Sequence, residues 1–200
     1  MADLFTLFIG AALVNNFVLT KFLGLCIFFG VSSRMDISIS MGAAVTFVMV
    51  LSSILGWAIY DFILVPLHIE FLKIVVFVIV IASCVQLVEV VIKKHLSTHY
   101  KMWGIYLLLI ATNCIVLSIP LINAENKFNL VQCVVNAFGS GVGFALALIL
   151  MSSIREKLEL APIPKSLQQG FGISFIVAGL LCLAFMGFSG IVKSLAGGLF

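Results

Sequence analysis

The chain has 200 residues, 63% of them hydrophobic and only 10% charged, with a mean hydropathy of +1.30 and a formal net charge of +3. So little charge over so much apolar surface excludes a soluble globule and leaves an integral membrane protein. The basic residues flank apolar runs instead of gathering into a patch, which reads as attraction to anionic headgroups and excludes a nucleic-acid surface.

At about 20 apolar residues per helical span, the chain divides into six spans near 4–30, 38–60, 71–92, 102–122, 130–152 and 171–192, a single membrane domain over 1–200. A β-barrel would need alternating apolar and polar residues, whereas runs such as IVVFVIVIASCV are apolar on every side. The expected fold is therefore an all-α bundle.

The first span follows Met1-Ala2-Asp3 without a basic n-region or a small-residue cleavage site, so it is expected to be retained as an anchor. Polar residues interrupt it: Asn15, Asn16, Thr20, Lys21 and Gly24 crowd the approach to Cys26. Lys21 is costly there, near ~3 kcal/mol at a span centre, and either snorkels to an interface or pairs inside the bundle. In the second span the glycine of SMGAAVTF reads as close helix packing, as do those of FGSGVGFA in the fifth, since no strand precedes either as in a phosphate loop. The third span holds Cys84 and ends at Gln86 and Glu89, which read as interfacial, with the lining of an ion entrance as the alternative. In the fourth, Thr112 and Asn113 precede Cys114, and Pro120 follows. Cys133 and Cys182 lie in the last two spans, while His68, His95 and His99 and the Arg155-Glu156-Lys157 run read as solvated loop residues.

Basic residues set the orientation. With the N-terminus outside, Arg34, Lys93, Lys94, Lys101, Arg155, Lys157 and Lys165 all fall in cytoplasmic loops, seven against the three of Lys73, Lys127 and Lys193. Both termini are thus expected outside. An offset of 97 residues places Asn16 on Asn113, Gly42 on Gly139, Val45 on Val142 and Phe47 on Phe144. Three spans per half make such a repeat an inverted one, 1–97 against 98–200, although Cys26 and Cys114 are 88 apart and do not obey the offset. Backbone freed by a broken helix must find partners within protein, so spans one and four are expected to be broken and packed inside, with the others facing lipid.

Cys84, Cys133 and Cys182 read as small core hydrophobes. The polar interruptions beside Cys26 and Cys114 make those two candidates for thiolate ligation of a soft metal or an iron–sulfur cluster, with a core role or a mutual disulfide as alternatives. The absence of CxxC and His-rich spacings leaves zinc and dithiol-redox motifs unsupported.

The strings VNNFVLTKFLGLC, FFGVS, GIYLLLIATNCIVL, IREKL and LAFMGFSGIVK, in this order across nearly the whole chain, resemble the A-type membrane subunits of Rnf ion-translocating electron-transport complexes. The E-type chain of the sodium-translocating NADH:quinone reductase is related, but the NNFVLTKFLGLC form is nearer to the Rnf chains. The resemblance implies a multi-pass subunit of the bacterial inner membrane, of translocase class and without catalytic residues of its own. It implies a [2Fe–2S] cluster shared with a sister chain, the E-type member of the same complex, each chain giving two cysteines, here Cys26 and Cys114. Other subunits would carry the flavin and remaining iron–sulfur centres of an NADH- or ferredoxin-linked reaction coupled to Na+ or H+ movement. Asn15, Asn16, Gly24, Thr112 and Asn113 would surround the ligands and tune the cluster through hydrogen bonds. Ile27, Leu108 and Ala111 depart from the family's usual proline, proline and threonine; without proline after Cys26, the break must rely on Gly24 and packing. A small inverted-repeat secondary transporter, with Lys21 and the buried asparagines lining its path, and a scaffold with ordinary core cysteines are the alternatives.

Overall fold

A computed structural model describes residues 2–14, 16–32, 35–67, 70–95, 109–110, 112–160 and 171–195. All secondary structure among them is helical. The elements are α1 (Ala2–Ile9), running into a π turn over Gly10–Val14; α2 (Phe17–Lys21); α3 (Leu25–Val31); α4 (Met35–Ile59), extended by a π turn over Tyr60–Leu64; α5 (Lys73–His95); α6 (Cys114–Glu125); α7 (Leu130–Glu159); and α8 (Phe171–Leu195).

Met35–Leu64 and Leu130–Leu158 are long and apolar enough to cross a bilayer, and Lys73–Val88, Cys114–Glu125 and Gly172–Gly187 are shorter apolar stretches. The apolar run expected over 4–30 is not one helix. It breaks first at Asn16, whose backbone is extended and whose side chain caps α2, and again at Phe22 and Gly24, both left-handed with φ of 56° and 78°. Glycine adopts that conformation without penalty, whereas a bulky Phe22 holds it at a cost of roughly 1–2 kcal/mol. The fourth span breaks at Thr112 and Asn113, the latter again extended, with its side chain capping α6. Asn15, Leu108 and Ala111, together with Arg34, His68 and His99, lie outside the described residues.

The chain divides into two compact units, one of residues 1–43 and 139–200 and the other of residues 44–138. In the first, α7 accepts α1 at very close range. A Cβ on Gly139 would lie 3.0 Å from the Phe8 carbonyl oxygen, and one on Gly143 2.5 Å from that of Ala12. This approach corrects the expectation that only the first and fourth spans pack inside. Phe144, Ala147, Leu148 and Met151 of α7 are all buried, because its small residues let neighbours cover it. In the second unit, Pro120 of α6 lies against Gly56 of α4, where a Cβ would come 2.9 Å from the proline's own.

Candidate functional site

The five cysteines separate cleanly by exposure: Cys84, Cys133 and Cys182 are buried, whereas Cys26 and Cys114 are exposed, and none is in a disulfide. The exposed pair are those with polar interruptions beside them. Cys26 is the second residue of α3, directly after the left-handed Gly24 and Leu25, and Cys114 is the first residue of α6. The first turn of a helix leaves backbone N–H groups without intrahelical acceptors, and such donors suit an anionic sulfur.

The 97-residue offset is obeyed by the caps and not by the thiols. Asn16 Oδ1 accepts from the N–H of Val18 and of Leu19 at 3.2 and 3.4 Å, and Asn113 Oδ1 accepts from that of Ile115 at 3.1 Å. Cys114 opens the helix its asparagine caps; Cys26 sits at the start of a further helix beyond a second break. The shorter spacing of the cysteines follows from that extra break.

Each of these two cysteine-bearing helices is tied down at its far end within its own unit. For α3, Arg155 Nη1 donates to the Phe29 carbonyl at 3.2 Å and to Ser32 Oγ at 2.9 Å, and the Phe29 ring stacks on Phe175 at 4.5 Å. For α6, Asn123 Nδ2 donates to Ser53 Oγ at 2.8 Å, Asn136 Nδ2 donates to Asn123 Oδ1 at 2.8 Å, and Ser53 Oγ donates to the Cys133 carbonyl at 3.1 Å. Neither arrangement is foreseen from sequence. Part of the signal for the second was present, since Asn136 is a lone amide in the apolar run VVNAFG; the Arg155 contact leaves none in a loop-like charged run.

Of the other expected site residues, Asn16 and Gly24 are buried and Thr112 is exposed. Lys21 is exposed, its ammonium 5.0 Å from the Phe17 ring centre, a cation–π contact. Gln86 is exposed on α5. Asn123 also lines a cavity of about 370 Å³ in the second unit, with Trp57, Tyr60, Asp61, Lys127 and Asn129 around it. Among the described residues no three His, Cys, Asp or Glu side chains gather as a complete metal-ligand set.

These features define a membrane protein, helical in the secondary structure of its described residues, that displays two thiols at helix starts beyond breaks. Residues 4–192 match the family model described as the Rnf-Nqr subunit, a membrane protein. The chain belongs to that family. It is 62% identical over 193 residues to the A-type subunit of the proton-translocating ferredoxin:NAD(+) oxidoreductase complex of Clostridium ljungdahlii, covering 96% of this chain and all of the relative. It is 49% and 48% identical, over the same shares of both chains, to the A-type subunits of the ion-translocating oxidoreductase complexes of Proteus mirabilis and Photorhabdus laumondii.

Proposed function

We propose that this chain is a membrane subunit of an ion-translocating electron-transport complex, and that Cys26 and Cys114 give two of the four thiolates of a [2Fe–2S] cluster completed by a homologous sister chain. Membership of such a complex is supported by full-length relatives that carry that description. The observation that carries the ligand assignment is the exposure of these two thiols against the burial of the other three. A partner can reach the first pair only.

The donor set fits the group. Thiolates are the usual ligands of iron–sulfur clusters, and a chain offering two of them, with no complete set among its described residues, suits a centre shared across a subunit boundary. Bound there, the cluster would supply one-electron transfer. The chain's own part is to hold the two sulfurs on helix starts, with Asn15, Asn16, Gly24, Thr112 and Asn113 shaping the breaks around them. The remaining Rnf subunits would bring the flavin and other iron–sulfur centres. Within this reading the six spans form two inverted repeats, spans one and four being the broken ones, in the bacterial inner membrane with both termini periplasmic. The translocated ion is Na+ or H+.

The test uses inverted membrane vesicles containing the whole complex, with ferredoxin:NAD electron flow and ion uptake read together. Cys26→Ala and Cys114→Ala should each abolish both, while Cys84→Ala and Cys182→Ala keep them. Ion or solute uptake that persists in Cys26→Ala without electron flow would favour a secondary transporter and overturn the proposal.

A further inference from the structure

We propose that the two thiols are held unequally: Cys26 stands on a locked helix, whereas Cys114 stands on a helix turn that can re-seat about Pro120, and Thr46 is the residue that leaves it unlocked. The argument begins with the paired caps. Asn16 engages both ends of its amide, since Oδ1 caps α2 and Nδ2 donates to the Gly143 carbonyl of α7 at 2.8 Å. Asn113 is equally buried, at 2% exposed, and its Oδ1 caps α6 in the same way, but its Nδ2 finds no partner. The Ile115 N–H must meet an oxygen, which fixes the amide's orientation and leaves the NH2 group as the stranded one. A buried donor left unmade destabilises the conformation that strands it.

The difference has a steric cause. At the 97-residue offset, the place of Gly143 in α7 is taken by Thr46 in α4. A Cβ on Gly143 would collide with the Ala12 carbonyl at 2.5 Å, so the approach that brings Asn16 to α7 requires glycine. Thr46 carries that Cβ. The mirror-image contact for Asn113 is thereby denied.

Where the helices are anchored decides what can move. Burial does not separate the two helices, since Ile115 and Val116 of α6 are as wholly buried as Ile27 and Phe28 of α3; their polar anchors do, and α3, only seven residues long, is gripped by Arg155 and Phe175. Helix α6 is gripped through Asn123, beyond Pro120. Proline has no N–H to offer the Val116 carbonyl, and the Leu117 N–H reaches the Asn113 carbonyl at a long 3.4 Å. The turn bearing Cys114 is thus linked to its anchor through a weakened helix. A chain with one movable ligand turn and one fixed one contains a two-state element of the kind that coupling between electron arrival and ion movement requires.

None of this uses the cluster, so its failure would leave the ligand assignment standing, and loss of that assignment would leave the inequality of the two helices standing. Hydrogen–deuterium exchange on the intact complex should show amides 114–119 exchanging at least tenfold faster than 25–31. Thr46→Gly should slow exchange at 114–119 and leave 25–31 unchanged. If that variant does not assemble, two serine variants decide, because serine keeps the cap but removes the amide NH2. Asn16→Ser, losing a made bond, should melt lower than the parent, while Asn113→Ser, losing a stranded donor, should melt no lower. Equal exchange of the two segments, or an Asn113→Ser loss as large as that of Asn16→Ser, overturns the proposal.

Discussion

Asn123 is the centre of a three-residue polar chain, and replacing it tests whether that chain acts as one unit. Asn123→Leu removes two hydrogen bonds and strands the Asn136 Nδ2, which is buried with its residue 7% exposed. Side-chain hydrogen bonds between membrane helices contribute about 0.6 kcal/mol each on average, up to about 1.7. A buried donor left unmade costs a further ~1–3 kcal/mol. The single change should therefore destabilise by about 2–6 kcal/mol. Asn136→Leu strands only one lone-pair site on Asn123 Oδ1 and should cost less, about 1–2 kcal/mol. The double variant Asn123→Leu/Asn136→Leu leaves no stranded amide, so its loss should fall short of the sum by about 1 kcal/mol or more. Reversible unfolding of the purified chain in mixed micelles, with the four proteins side by side, gives the cycle. Additive losses would refute the network.

Two further outcomes follow from contacts in the first unit. Arg155→Ala removes a charged donor from the Phe29 carbonyl and the buried Ser32 hydroxyl, a loss of about 2 kcal/mol; at roughly 2–4 °C per kcal/mol for a chain of this size, the melting midpoint should fall by about 4–8 °C, and an unchanged midpoint would remove Arg155 as the anchor of α3. Gly143→Ala places a methyl 2.5 Å from the Ala12 carbonyl oxygen, so it should destabilise by about 1–3 kcal/mol, as overpacking does; a variant as stable as the parent in the same unfolding assay would show that α1 does not approach so closely.

Much of this arrangement is legible in the residues because it depends on local chemistry. A helix that must stop inside an apolar run needs polar caps or glycine, so NNFVLTKFLG and ATNC announce their breaks, and the cysteines beside them are the exposed ones. What the sequence hides depends on partners far along the chain. Phe22 looks like a lipid-facing side chain, yet its left-handed backbone makes half of the second break. Arg155 lies in what reads as a solvated charged run, yet it is 126 residues from the carbonyl it holds. The inward packing of α7 also escapes periodicity, because a helix apolar on every side carries no stripe to say which face is covered. The asparagine pair shows both cases at once. Their capping role follows from residue type and position, but only the cross-helix contact at Gly143 distinguishes the satisfied amide from the stranded one.

The claim that Cys26 and Cys114 are cluster ligands is tested most directly by iron and acid-labile sulfide counts on the purified complex, together with its EPR spectrum, in all five single Cys→Ala variants. The account predicts the loss of one cluster's worth of iron and sulfide, with its EPR signal, in Cys26→Ala and Cys114→Ala only. Unchanged iron, sulfide and spectrum in either of those two, or the same loss in Cys84→Ala, Cys133→Ala or Cys182→Ala, would contradict it.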